Sequence, residues 1–362
     1  SDLTGLTAKA NQSKDIGALT DGSIYSLALF GQDLAGNTAS VTNTNITYDV
    51  TPPAFGTITP DDNAKISVVT RPVKWTNAET MSDGEITYRQ TSGAADVNSP
   101  HTLSMAGHLS AGQQTLDVAS NLVEGAVYKL ELKATDIAGN STYLNPAKTG
   151  IMYDITPPTF GTLTPLSGAR ITSANRAPAW SNSEALSGGF VRYTGTSGTD
   201  SGNAHEVAFG GTLLNAGTQT IDITGLQDGN LYKLELNGTD AAGNIGTMLT
   251  NTAILYDITL PTFGSMTPLT DDRIGPNTRP AAWTNSEDLL SGQVEYEGTA
   301  GGDSGQKHTV SFDATAKSSG AHALDIQGLV NANTYKLTVS GTDLAGNAGT
   351  PIVRTNLLYD DV

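Results

Sequence analysis

Apolar and polar positions alternate along most of this chain in short runs, separated by clusters of Pro, Gly, Asn and Asp. Between residues 53 and 156 the alternation falls at Phe55–Thr59, Ala64–Val69, Val73–Trp75, Glu85–Arg89, Thr102–Met105, Thr115–Val118, Val127–Thr135 and Thr149–Tyr153. A period of two puts every second side chain on one face of an extended strand. The pattern therefore predicts seven or so short β-strands joined by tight turns. No stretch sustains a helical period.

The whole pattern recurs. Asp-x-Ala-Gly-Asn occurs at Asp33–Asn37, Asp136–Asn140, Asp240–Asn244 and Asp343–Asn347. Tyr-Asp recurs at Tyr48-Asp49, Tyr153-Asp154, Tyr256-Asp257 and Tyr359-Asp360, and Trp75, Trp180 and Trp283 are each followed four residues on by Glu79, Glu184 and Glu287. The spacing is 103 to 105 residues throughout. Such a period is too long for a solenoid repeat and fits an independently folded domain. The expected division is 53–156, 157–259 and 260–362, preceded by residues 1–52, which match only the second half of a unit, Ser1 falling opposite Thr102. Seven short strands in such a length predict an all-β fold of tandem immunoglobulin-like Greek-key β-sandwiches arranged as an extended rod. Leu-x-x-Gly-x-x-Tyr at Leu19/Gly22/Tyr25, Leu122/Gly125/Tyr128 and Leu226/Gly229/Tyr232, with Ala332 replacing Gly before Tyr335, is read as a tyrosine corner at the start of the sixth strand rather than an ordinary strand Tyr.

The runs Gly125–Asn140 and Tyr153–Pro158 resemble the bacterial Ig-like repeats of large, secreted surface adhesins. The resemblance extends to every unit but points to no single protein. It implies a cell-surface stalk of many such modules, often stiffened by calcium between neighbours. The last linker departs from the pattern, because Leu260 leaves it one Pro where Pro52-Pro53 and Pro157-Pro158 provide two.

Charge narrows the choice of partners. The net charge is −17, from 36 acidic and 19 basic residues. Neither nucleic acid, which needs concentrated Lys and Arg, nor an anionic membrane suits such a chain. Cys is absent, which excludes disulfides and thiolate metal sites. No apolar run approaches a membrane span, and any export signal is expected outside this segment.

The strand order of an Ig sandwich brings the B–C loop, the F–G loop and the incoming linker to one end. That gathers Asp49, Asn77, Glu79, Asp136 and Asn140 at the first junction. The corresponding sets are Asp154, Asn182, Glu184, Asp240 and Asn244, then Asp257, Asn285, Glu287, Asp343 and Asn347. Crowded carboxylates repel one another unless a cation offsets them. Ca²⁺ accepts six to eight oxygen ligands in flexible geometry, whereas Mg²⁺ keeps more of its water and Zn²⁺ prefers His or Cys. An interdomain Ca²⁺ site is therefore expected. The competing reading makes Asp-x-Ala-Gly-Asn only a tight turn and Tyr-Asp-x-Thr only a stiff linker.

Other recurrent residues are expected to be structural. His101, His205 and His308 lie one per unit, about 40 Å apart by strand length, and are placed at strand edges or in loops rather than in a shared site. The Trp series is expected to fill the cores. The stretches Gly195–Gly202 and Gly298–Gly305 do not open a helix, so they read as flexible loops, not phosphate cradles. No differentiated pocket or Gly-x-Ser-x-Gly elbow suggests an enzyme. The leading expectation is a spacer segment of a bacterial surface adhesin, its partners being the neighbouring repeats of the same polypeptide. The alternative is a subunit of an extracellular filament or sheath, in which another copy completes residues 1–52 by strand addition. A module binding glycan or protein through its loops has no distinguishing residue.

Overall fold

The computed structural model describes residues 11–118 and 122–362. They form two compact units, Ser1–Thr156 with Ala241–Asn244, and Pro157–Asp240 with Ile245–Val362. Among the described residues there is no α-helix, only two short 3-10 turns, and no helix long and apolar enough to cross a membrane.

In the first unit β1 (Ile24–Gln32) and β2 (Thr38–Thr47) pair as an antiparallel hairpin. The sandwich that follows uses β3 (Lys65–Ile66), β4 (Val73–Asn77), β5 (Met81–Gly93), β6 (His101–Ser104), β7 (Gly112–Leu116), β8 (Ala126–Asp136) and β9 (Ser141–Tyr153). One sheet has the order β3-β9-β8-β5-β6 and the other pairs β4 with β7, with Phe55 and Thr59 bridging to β4 from outside. The strands are longer than the alternating runs, because pairing carries β5 and β9 past the apolar positions into exposed ends.

The second unit repeats this arrangement twice. Its first sandwich has β10 (Arg170–Ile171), β11 (Ala179–Asn182), β12 (Leu186–Gly195), β13 (Ala204–Ala208), β14 (Gly217–Thr220), β15 (Asn230–Asp240) and β16 (Leu249–Tyr256). The second has β17 (Phe263–Thr267), β18 (Arg273–Ile274), β19 (Ala281–Asn285), β20 (Leu289–Ala300), β21 (Lys307–Ser311), β22 (Gly320–Leu324), β23 (Thr334–Asp343) and β24 (Ile352–Tyr359). The five-stranded sheets run β10-β16-β15-β12-β13 and β18-β24-β23-β20-β21. The fold is thus all-β, a series of Ig-like Greek-key sandwiches.

Period-two burial builds three separate cores. Tyr128, Leu130 and Leu132 on β8 are wholly buried, as are Tyr232, Leu234 and Leu236 on β15 and Tyr335, Leu337 and Val339 on β23. Trp75, Trp180 and Trp283 cover them from the opposite sheet. Burying one large apolar side chain contributes roughly 1.5–3 kcal/mol, so each core stabilises its sandwich by itself. Tyr88 and Tyr128 meet edge to face with ring centroids 6.0 Å apart, and Tyr193–Tyr232 and Tyr296–Tyr335 repeat the geometry at 5.9 and 6.0 Å.

The tyrosine corner is present in every copy. The hydroxyls of Tyr25, Tyr128, Tyr232 and Tyr335 accept the backbone N–H of Thr20, Val123, Gln227 and Val330, five residues upstream, at 2.6–2.8 Å. In the hairpin of β1 and β2 the residues corresponding to Leu130 and Leu132 of this core are open: Leu27 and Leu29 are 44% and 49% exposed.

Candidate metal centre

Asp-x-Ala-Gly-Asn is a self-contained turn at Asp33–Asn37, Asp136–Asn140 and Asp343–Asn347. In the F–G loop of the first sandwich Asp136 Oδ1 accepts the Asn140 N–H at 2.9 Å and Oδ2 accepts the Asn140 amide at 2.8 Å. Asp343 holds Ala345 N–H, Asn347 N–H and the Asn347 amide at 2.8–2.9 Å. Gly139 and Gly346 sit at φ +96°, a left-handed conformation that glycine adopts without steric cost. The same contacts close the exposed turn Asp33–Asn37 at 2.8–2.9 Å. The turn therefore forms without help from any other loop.

Two of these turns bring their Asp to a carboxylate cluster. Asp49 on the linker, Glu79 after β4 and Asp136 at the end of β8 present ligand oxygens all within 4.8 Å of one another. Asp257, Glu287 and Asp343 do the same in the second unit. In the middle copy the residues are divided, Asp154 and Asn244 belonging to the first unit and Asn182, Glu184 and Asp240 to the second.

The electrostatics of the two clusters match. Burial, and then the negative charges of Asp49 and Asp136, push the Glu79 carboxyl above its ordinary range. Burial raises Glu287 likewise, followed by Asp257 and Asp343, with Arg170 pulling the other way. Asp257 is raised by burial and by Asp343. Asp136 moves in the opposite direction: its hydrogen bonds from Asn140 outweigh burial and hold it below the usual carboxylate range. In the first cluster Asp136 is thus held as an anion while Glu79 resists ionising beside it, and in the second Asp257 and Glu287 both resist ionising. The donor set, three carboxylate oxygens with neither His nor Cys, suits a hard divalent cation.

The structure corrects the expectation for three amides. Asn77, Asn182 and Asn285 point into the cores and not toward the carboxylates. Their Oδ1 atoms accept the indole N–H of Trp75, Trp180 and Trp283 at 2.6, 2.8 and 2.7 Å. Their Nδ2 atoms each donate to two backbone carbonyls, His108 and Ser110, Leu213 and Asn215, and Ala316 and Ser318, at 2.8–3.0 Å. All the polar capacity these sites need is internal. Asn140 and Asn347 do reach the junctions, but as donors: Nδ2 binds the carbonyl of Asp49 at 3.0 Å and of Asp257 at 2.9 Å. Asn244 makes the same bond to Asp154 at 2.9 Å.

The Gly-rich stretches 195–202 and 298–305 are mostly exposed but each carries one buried aspartate. Asp200 and Asp303 within them are buried, and a Cβ on Gly198 would lie 2.0 Å from Asn230 Oδ1. These aspartates form sets that sequence reasoning missed. Asp96, Asp200 and Asp303 each accept from the corner hydroxyl of Tyr128, Tyr232 or Tyr335 at 2.6–2.7 Å and contact Nε2 of His101, His205 or His308 at 2.5–2.7 Å. The signal was a constant five-residue step from Asp to His in each unit. The histidines lie on the edge strands β6, β13 and β21, as expected.

No family model matches this chain, and no curated protein matches it. Among solved structures, the FN1–FN3 domains of chicken CNTN1 are 13% identical, covering 84% of this chain and 98% of theirs, with a TM-score of 0.31. The fibronectin(III)-like modules of Clostridium thermocellum CbhA are 14% identical, covering 56% and 95%, with a TM-score of 0.30. A tetra-tandem repeat from the extending region of a large adhesion protein is 20% identical, covering 94% and 84%, with a TM-score of 0.28.

Proposed function

We propose that this chain is an extender segment of a bacterial cell-surface adhesin, a series of sandwich repeats at 53–156, 157–259 and 260–362 following the partial repeat 1–52. The reading has no catalytic role and places the protein outside the cell. Its partners are the neighbouring repeats. The observation that carries it is that linker, B–C and F–G residues converge in the same way at two junctions, one within each compact unit. That is what a joint needs.

Ca²⁺ is the cation the junctions suit. Asp49, Glu79 and Asp136, and Asp257, Glu287 and Asp343, would hold it. A bound divalent cation supplies positive charge between carboxylates that otherwise repel. Asp136 and Asp343 are already oriented by their turns, and the linker carbonyls are held by Asn140 and Asn347, so little ordering is required. Repeats of about 40 Å each would then give a rod of about 140 Å. Thermal unfolding and small-angle scattering in calcium, magnesium and chelator test the idea. Calcium should raise the unfolding midpoint and hold the length; identical midpoints and lengths in all three overturn it.

A second reading is favoured by one observation, the open apolar face of β1 and β2. Completion of that face by another copy would make the chain a filament subunit. Sedimentation shows concentration-dependent polymers in that case and a constant monomer otherwise.

A further inference from the structure

Four residues ahead of three of the four corner tyrosines stands an acid that sequence reasoning did not single out: Asp21 before Tyr25, Glu124 before Tyr128 and Asp228 before Tyr232. Each carboxylate takes the linker with both oxygens. Asp228 Oδ1 accepts the Ile258 N–H at 2.8 Å and Oδ2 the Thr259 hydroxyl at 2.5 Å. Asp21 holds Val50 N–H at 2.9 Å and the Thr51 hydroxyl at 2.5 Å. Glu124, one methylene longer, holds Ile155 N–H at 2.6 Å and the Thr156 hydroxyl at 3.2 Å. The Thr51 hydroxyl and Val50 N–H keep Asp21 below its ordinary range, as a carboxylate serving as a fixed acceptor should be.

The fourth copy is an internal control. There Asn331 replaces the acid, and Val362 stands where the other linkers have Thr. Asn331 Oδ1 still accepts the backbone N–H of Asp361, at 3.2 Å. Acid and hydroxyl are present together in three copies and absent together in one, which is the pattern of a matched pair.

We propose that Asp21, Glu124 and Asp228 are positioning residues: each clamps the linker Thr and the N–H before it, and so fixes the direction in which the chain leaves one repeat, with or without a cation. The acid is anchored because its turn is tied down four residues on by the tyrosine, whose ring is fully buried in Tyr128 and Tyr232. From the other side, Asn140, Asn244 and Asn347 grip the linker carbonyl two residues before that Thr. The linker is therefore held at both ends by two different repeats. The proposal rests on the extender reading but not on calcium.

Pulsed EPR on the intact chain tests it. Cys is absent, so Ala216→Cys and Ala321→Cys, both at exposed positions, place one spin label on each side of the last linker. In chelator the parent should give a narrow distance distribution. Asp228→Ala and Thr259→Val should each widen it at least twofold, and Thr259→Ser, which keeps the hydroxyl, should stay at the parental width. Unchanged urea midpoints show that the repeats remain folded. The clamp is overturned if both variants keep the parental width in chelator, or if the parent itself widens there to match Asp228→Ala. A chelator-narrow parent, a widened Asp228→Ala and no response to calcium in either would support the clamp and remove the cation.

Discussion

Replacing Asn285 with Ala removes the centre of a buried polar arrangement, and its cost can be worked from the structure. Asn285 is 4% exposed and Trp283 is 1% exposed. The amide satisfies the Trp283 indole N–H and the carbonyls of Ala316 and Ser318 at 2.7–2.9 Å. Without it the Trp283 indole N–H and the Ala316 carbonyl lose their partner, while the Ser318 carbonyl keeps His322 Nε2 at 2.7 Å. An unsatisfied buried group costs about 1–3 kcal/mol, so the low end for two gives about 2 kcal/mol. A domain of this size is stable by only about 5–15 kcal/mol, and each kcal/mol moves its midpoint by about 4–8 °C. Asn285→Ala should therefore lower the melting of residues 260–362 by on the order of 10 °C. The chain offers a clean reporter, since each core has one Trp: with Trp75→Phe and Trp180→Phe, the emission of Trp283 follows this sandwich alone during urea unfolding. A double-mutant cycle with Trp283→Phe, which removes the indole N–H, should show coupling of about 1 kcal/mol. A loss below about 1 kcal/mol for Asn285→Ala, or no coupling, would refute the reasoning.

Two further outcomes concern pH. Burial and the charges of Asp257 and Asp343 raise Glu287 in the folded state, so the native form binds more protons than the unfolded one and stability falls as pH rises through that range. In chelator, Glu287→Gln should remove this slope and raise the urea midpoint at neutral pH, and it should also abolish any gain from calcium; an unchanged slope would show that the junction carries no such repulsion. Asp303 behaves in the opposite sense, because the Tyr335 hydroxyl, and against burial also His308, lowers it. Its contribution is complete above the ordinary aspartate range of about 4 and is lost as pH falls through the depressed folded value. Asp303→Asn should flatten the acid limb of the stability curve for residues 260–362, and an identical limb would contradict the assignment.

Much of the fold could be read from the sequence because its causes are local. Alternation on β8, β15 and β23 marks one buried face, and the Gly-x-x-Tyr spacing marks the corner. The meeting of Asp49, Glu79 and Asp136 followed from strand order alone. Where the reading failed, the relevant fact was which way one side chain points. Asn77 was placed beside Glu79 because both follow the Trp strand, yet it lies two residues from Trp75 and so shares its inward face. Trp-x-Asn in all three units carried that signal. The buried Asp200 and Asp303 of the Gly-rich stretches were missed because composition shows the glycines and not which neighbour turns inward. Asp228 and its counterparts escaped notice because Asp, Glu and Asn at that position do not look alike, although they hold the same part of the linker.

The linker contacts also bear on how such a chain can change length over time. The joints at Asp49 and Asp257 are assembled from the end of one period, which brings the acid and the threonine, and from the loops of the next, which bring the glutamate, aspartate and asparagine. A recombination event that inserts or deletes a whole period of 103 to 105 residues therefore leaves every remaining joint with a full set of parts. A break at any other phase pairs mismatched halves. Copy number is free to drift while the hinge specification is inherited intact, and reach can be selected without re-evolving a single contact.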